Sequence, residues 1–367
     1  MSAPTARADR LAEVVAEAEL DALIVGDLVR PGDSGPDAIA NVRWLTGFTG
    51  TSALAVIGPH ARVFVTDFRY VERAEREVGD AFDRRIAVQR LIPELVSHLE
   101  GRVGFDDAAT SVANFTKLER SLKPGAELVP AGGMVERLRR HKDETELAAI
   151  AEAAKLADAA YEWAIERGFA GRTERDVAQA TEARIRELGG EPSFPAIVAA
   201  GANGALPHAE PSDREISLGE MVVFDMGAKV DGYCSDCTRT FAVGEPDPEA
   251  AEVYELVRSA QAEGLAAISP GVEGPAADSA ARDVIAAGGR GELFGHGLGH
   301  GVGLEVHEAP RLGQRSEDVL EVGDVVTVEP GVYVPGRFGV RIEDLVHVTD
   351  DGARNLSSLP KELRLVE

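Results

Sequence analysis

Apolar positions along the first 140 residues alternate between two periods. Around Leu11 to Leu20 they recur at amphipathic-helix spacing, and the short apolar run Ala22-Leu23-Ile24-Val25 that follows reads as a strand. Ser52 to Ile57 and Arg62 to Thr66 are two β-rich runs separated by the turn Gly58-Pro59-His60. This succession predicts an α/β domain over residues 1–140. From Asp143 to Arg167, Leu147, Ile150, Ala154, Leu156, Ala160 and Ala164 fall near helical spacing, so a long helix is predicted there, with a second domain, 141–367, starting just before it. Another helix is predicted from Thr173 to Leu188, where Thr173 can cap the start and Gly189-Gly190 can stop the end. Beyond Gly190 the chain reads as β-rich segments split by Gly and Pro, with one more helix from Pro248 to Ala267. The second domain is therefore expected to be α+β.

Composition narrows the function classes. With 367 residues, 44% apolar and 28% charged, the chain reads as globular with two cores, and nothing approaches the roughly 20 consecutive apolar residues of a membrane span. The stretch at residues 1–20 lacks an apolar run after its early arginines, and Asp9, Glu13, Glu17 and Glu19 oppose a transit peptide, so a cytoplasmic location is expected. Only Cys234 and Cys237 are present, which excludes a disulfide framework. A net charge of −25 repels phosphate backbones and argues against a nucleic-acid partner.

The unusual chemistry lies in the second domain. Asp231-Gly232, between two β-rich runs, predicts a tight hairpin with Val230 facing Tyr233. Counting back along both strands sets Asp225 opposite Thr238 and puts Asp225 and Asp236 on one face as diagonal neighbours, about 7 Å apart at their backbones. A one-residue slip would turn one carboxylate away, and two unrelated acidic residues on a solvated hairpin is the plainer reading of this pair alone. The segment from Gly295 to Glu308 then gathers three of the eight histidines, His296, His300 and His307, among glycines that let backbone approach a site. Glu329 follows the run Val325 to Val328 and precedes Pro330. Alternation along Gly339 to Asp344 puts Arg341 and Glu343 on one strand face, either as a structural ion pair or with Glu343 as a metal ligand. Hard oxygen donors with one imidazole suit manganese, cobalt, zinc or iron(II).

Other chemistries fall away. Cys234 and Cys237 fit C-x-x-C, but their odd separation in a strand sends the thiols to opposite faces. Neither H-E-x-x-H nor G-x-S-x-G occurs, and the glycine-histidine run does not meet G-x-G-x-x-G.

The order Asp225, Asp236, His300, Glu329, Glu343, with the flanks Thr327-Val328-Glu329-Pro330-Gly331 and Arg341-Ile342-Glu343-Asp344, resembles the pita-bread metallopeptidases, which include aminopeptidase P, prolidase and methionine aminopeptidase. The segments Asn41 to Gly50 and Thr66-Asp67-Phe68-Arg69-Tyr70 look like the N-terminal domain of the Xaa-Pro-cleaving branch. The resemblance implies an α+β pita-bread catalytic domain preceded by a smaller α/β creatinase-type domain. It also implies two divalent metal ions, manganese foremost, a homodimer, and hydrolysis of the peptide bond before proline by a hydroxide shared between the metals. Asp236 and Glu343 would bridge, Asp225 would serve one metal, and His300 and Glu329 the other, with Glu329 also accepting a proton.

By the same similarity, His208 in Gly204-Ala205-Leu206-Pro207-His208 faces substrate, and His307 stabilises the tetrahedral intermediate. Arg341 and His296 orient ligands and relay protons, and Arg311 grips the substrate carboxylate or is a surface salt-bridge residue. Two rivals stand beside the Xaa-Pro peptidase, aminopeptidase P or prolidase in type. One is a metal-free creatinase-like amidino hydrolase, the other a non-catalytic protein-binding module of the same fold.

Overall fold

A computed structural model describes residues 3–26, 28, 39–88 and 90–367. Met1, Ser2, Asp27, residues 29–38 and Gln89 of the predicted first domain lie outside the described residues. The chain divides into two compact units, Met1–Arg139 and Arg140–Glu367.

The first unit is built on a six-stranded mixed sheet. Its strands are β1 (Ala22–Val25), β2 (Ala53–Ile57), β3 (Arg62–Asp67), β4 (Asp83–Ala87), β5 (Arg102–Phe105) and β6 (Glu127–Pro130), in the order β4-β3-β2-β1-β5-β6. The β2–β3 turn at Gly58-Pro59-His60 makes that pair antiparallel, whereas β5 runs parallel to β1, and β6 runs parallel to β5 after the helical crossover Val112–Ser121. Every residue of β1 and β2 is buried, as expected of central strands covered on both faces. The first helix spans Ala3–Glu17, starting before Leu11 and ending short of Leu20, where the apolar pattern still runs. Glu19 turns left-handed at φ 56°, so Leu20 joins the core from the lead into β1 rather than from the helix.

The second unit consists of two helix-pair-on-sheet halves. In one, helices Glu144–Ile165 and Glu174–Glu187 cover the sheet whose inner strands are Met221–Met226 and Cys237–Val243, burying Tyr161, Phe169, Val177, Phe224 and Phe241 together. Asp143 starts the long helix with a reciprocal cap: its Oδ1 accepts from Thr145 and Glu146 N at 2.9 and 3.0 Å, and Glu146 Oε2 accepts from Asp143 N at 2.9 Å. Thr173 caps the next helix by accepting from Asp176 N at 3.0 Å.

In the other half, helices Pro248–Ala267 and Gly274–Ala287 pack on a five-stranded sheet that includes Gly299–Gly301, Val325–Val328 and Asp344–Thr349, around Val257, Ala281, Leu298, Val326 and Val346. The helix Gly274–Ala287 is not among the predicted elements. Its Gly274-Pro275 reads as a break, yet proline in the first helical turn lacks only an N–H that would have no partner there. Its buried stripe, Ala277, Ala281 and Ile285, is mostly alanine, so the apolar period is faint although the close packing is real. No described helix is long and apolar enough to cross a membrane.

Candidate metal centre and cleft

The hairpin forms as its turn chemistry predicts. Asp231 and Gly232 adopt φ of 48° and 80°, Val230 faces Tyr233, and the same count carries on to pair Asp225 with Thr238. Between these pairings the ribbon passes from one sheet to another at Gly227, where a Cβ would lie 1.8 Å from the Ser235 carbonyl oxygen; only glycine fits so close an approach. Tyr161 fixes the result from the helix below. Its buried hydroxyl sits 2.9 Å from the Phe224 carbonyl and 2.7 Å from that of Cys237, beside each aspartate in turn.

The opposite half supplies the rest. His300 lies on the short strand Gly299–Gly301, where its backbone N donates to Thr327 Oγ1 at 3.1 Å. Glu329 immediately follows Val325–Val328, and its N donates to the Leu298 carbonyl at 2.8 Å. Glu343 occupies the joint between strands Phe338–Arg341 and Asp344–Thr349, tied across to the first half by Glu343 N to Thr238 O at 3.0 Å and Thr238 Oγ1 to Glu343 Oε2 at 2.7 Å. The strand expected to run through Glu343 thus stops at Arg341, and the Arg341–Glu343 ion pair does not form. Arg341 reaches instead to Asp225 Oδ2 at 2.7 Å, Thr238 Oγ1 at 2.9 Å and Tyr333 OH at 2.9 Å.

Asp236, His300 and Glu343 present ligand atoms within 4.8 Å of one another, all three buried. Glu329 Oε1 lies 3.3 Å from His300 Nε2, and Asp236 Oδ2 lies 3.7 Å from the same nitrogen. Asp225 borders the same cavity, and among the described residues its buried Oδ1 has no hydrogen-bond partner. Burial, and then the charges of neighbouring carboxylates, push Asp236 and Glu343 well above the usual carboxylate range. Burial would raise Glu329 too, but the His300 ring beside it outweighs that and brings it down to about 2. A buried acceptor without a donor, among acids whose ionised forms repel one another, fits a divalent cation: it would satisfy Asp225 Oδ1 and compensate the gathered charge. Oxygen donors with one imidazole are the matching chemistry.

The cavity has a volume of about 1070 Å³, and His208, His296, His307 and Arg311 all border it. His307 packs its ring edge-on to His300 with centroids 4.3 Å apart, and burial, reinforced by His300 and Arg311, lowers its pKa to about 4. His296 Nε2 is 2.9 Å from Tyr333 OH, which links it to Arg341. Arg311 is exposed, and among the described residues no ion pair or hydrogen bond engages its guanidinium. The two thiols have separate surroundings, Cys234 Sγ by the Leu304 carbonyl and Cys237 Sγ by that of Glu343.

The sequence placed Thr238 opposite Asp225 without reading its role, and Tyr333 and Arg239 went unread; each touches a candidate ligand, its backbone or the arginine that holds it. Arg239, 2% exposed, donates to the Thr238 and Glu343 carbonyls and pairs with Asp344 at 2.8 Å. For Tyr333 the Pro335-Gly336 turn was an available signal, since it pairs Tyr333 with Gly339, two residues from Arg341 on the same strand.

Buried carboxylates gathered around an imidazole, opening into a cleft of peptide size, place the protein in the class of metal-dependent hydrolases. The model of metallopeptidase family M24 matches residues 148–350, and that of the creatinase/prolidase N-terminal domain matches residues 7–141. The chain belongs to metallopeptidase family M24, with a pita-bread catalytic domain after a creatinase-type N-terminal domain. It is 44% identical over 328 residues to the peptidase YqhT of Bacillus subtilis, covering 88% of this chain and 92% of that one. To the Xaa-Pro dipeptidase of Pyrococcus horikoshii it is 37% identical over 328 residues, with the same coverage of 88% and 92%. The solved structure of an Xaa-Pro dipeptidase from Bacillus anthracis superposes with a TM-score of 0.92 at 38% identity, over 99% of this chain and 100% of that one.

Proposed function

We propose that this metallopeptidase hydrolyses the bond before proline in Xaa-Pro dipeptides. The observation that carries the reading is the free Arg311 guanidinium on the same cavity as the carboxylate–imidazole cluster. A fork of donors at that point suits the terminal carboxylate of a dipeptide, as in the named activity of the relatives. Asp225, Asp236, His300, Glu329 and Glu343 would hold two divalent ions, manganese foremost, which would supply water activation at neutral pH and polarisation of the scissile carbonyl.

The protein's own groups do the remaining work. Glu329 Oε1 is engaged by Thr327 and His300, so Oε2 is the atom that takes the proton from the attacking water. His307 donates to the oxygen on which charge develops, and His208 contacts substrate from the facing loop. Arg341 and His296, joined through Tyr333, keep Asp225 and the cleft wall oriented. Neither rival reading accounts for a full set of five donors about one cavity. The protein acts as a cytoplasmic homodimer on peptides, with neither nucleic acid nor membrane as partner.

The test compares Ala-Pro with Ala-Pro-Ala in the presence of manganese. Hydrolysis of the dipeptide with rejection of the tripeptide is expected. Preferred cleavage of the tripeptide would make the enzyme an aminopeptidase, and failure to cut either would remove the proline assignment.

A further inference from the structure

Outside the carboxylate cluster, the first residue of helix Glu174–Glu187 is a carboxylate with no solvent exposure at all. Glu174 Oε1 accepts from Ala200 N at 2.8 Å, and Oε2 accepts from Ser212 N at 3.0 Å and Ser212 Oγ at 2.6 Å. Asn203 Nδ2 lies 3.1 and 3.0 Å from the two oxygens. These donors come from the start, the first turn and the end of one loop, residues 200–212, and His208 stands near its middle. A buried anion is expensive, and here the cost is offset by a nearly complete set of donors and by the positive end of its own helix.

The middle of that loop has little packing of its own. Leu206 and His208 are exposed, and the turn is closed by Leu206 N to Asn203 O at 2.9 Å and Ala209 N to Leu206 O at 3.1 Å. Its other anchors lead to the centre: Arg341 Nη1 reaches the Pro207 carbonyl at 3.3 Å, and the Gly204 backbone packs so tightly on Gly339 that a Cβ there would sit 1.8 Å from the Gly204 oxygen. Were the Glu174 knot loosened, Ala200 would keep its strand pairing with Val222 and the Ser212 carbonyl its bond from Arg175 N at 3.1 Å, but the side-chain tie that draws Ala200, Asn203 and Ser212 together would be lost while Arg341 still held one carbonyl.

We infer that Glu174 is a positioning residue for the reaction, holding the 200–212 loop so that His208 points into the cleft. The inference rests on the reading of His208 as a substrate contact. Gln at this position would keep the shape but turn one acceptor into an NH2 donor facing the N–H of Ala200 or Ser212, so the knot cannot close in either orientation.

The experiment is a double-mutant cycle on the manganese-loaded enzyme with Ala-Pro as substrate. Glu174→Gln is expected to lower kcat/KM about 10- to 100-fold, the size of effect that a small misplacement of a reacting-site group produces. In the His208→Ala background it should cost no more than about twofold further, while metal content stays that of the parent and the loss of thermal stability is the same in both backgrounds. Losses in kcat/KM that multiply would overturn the inference and leave Glu174 with stability alone. If His208→Ala by itself has no effect on kcat/KM, the role given to His208 fails, and the inference with it. Should Glu174→Gln not fold, Ser212→Ala, which removes the 2.6 Å donor and keeps the backbone one, enters the same cycle with the same criterion.

Discussion

Arg341 Nη2 donates to Asp225 Oδ2 across 2.7 Å, joining the strand that ends at Arg341 to the hairpin strand of the other half. The same guanidinium also holds Thr238 Oγ1, and Thr238 Oγ1 in turn donates to Glu343, so one arginine organises two of the carboxylates. Lysine cannot reproduce this fork. Arg341→Lys should therefore lower metal affinity and kcat by about 10- to 100-fold, the range found when groups that orient metal ligands are removed. Metal titration alongside steady-state kinetics checks this; unchanged affinity would mean that the fork contributes nothing to the ligands.

His300 and His307 pack edge to face, yet they are assigned different work. His300→Ala should lose bound metal and activity together. His307→Ala should keep its metal and lose about 100- to 1,000-fold in kcat, as when one donor to a developing oxyanion is deleted. Elemental analysis of both variants separates the roles. Loss of metal from His307→Ala would make it a ligand instead.

Alkaline stability has a traceable component away from the centre. Tyr254 is buried on helix Pro248–Ala267, its OH donates to the Lys361 carbonyl at 3.1 Å, and burial pushes its pKa up from 10.0 to about 12. Because the folded value is the higher one, this contribution is fully present below pH 10 and is lost as pH rises through 12. It amounts to at most about 2–3 kcal/mol. Tyr254→Phe should be less stable at pH 8, through the lost hydrogen bond, but decline less between pH 10 and 12. Denaturant unfolding at both ends of that window tests it; parallel declines would assign the alkaline loss elsewhere.

The parts legible in the sequence were those set by local chemistry. Asp231-Gly232 fixed a register that carried through to Asp225 and Thr238, and Thr173 capped the helix it precedes. Elements whose signal is weak or nonlocal escaped. The helix Gly274–Ala287 buries small side chains behind a Gly-Pro start, so neither its period nor its boundary stood out. Strand alternation paired Arg341 with Glu343, because nothing local reveals that the strand ends at Arg341 or that Asp225 waits 116 residues away. Tyr161 acts on backbone carbonyls, which any residue carries, and Arg239 on carbonyls and on Asp344, 105 residues away, so nothing local in the sequence marks their partners.

On the proposed function, five side chains from two halves of one domain bind the metal on which hydrolysis depends. Metal content and Ala-Pro hydrolysis measured on the same preparations, before chelation, after exhaustive chelation, and during stepwise return of manganese, test this dependence. Two ions per chain, complete loss of activity in the stripped protein, recovery in proportion to metal restored, and no recovery in Asp236→Ala are expected. A stripped protein that retains full activity, or an Asp236→Ala variant that binds two ions as the parent does, would contradict it.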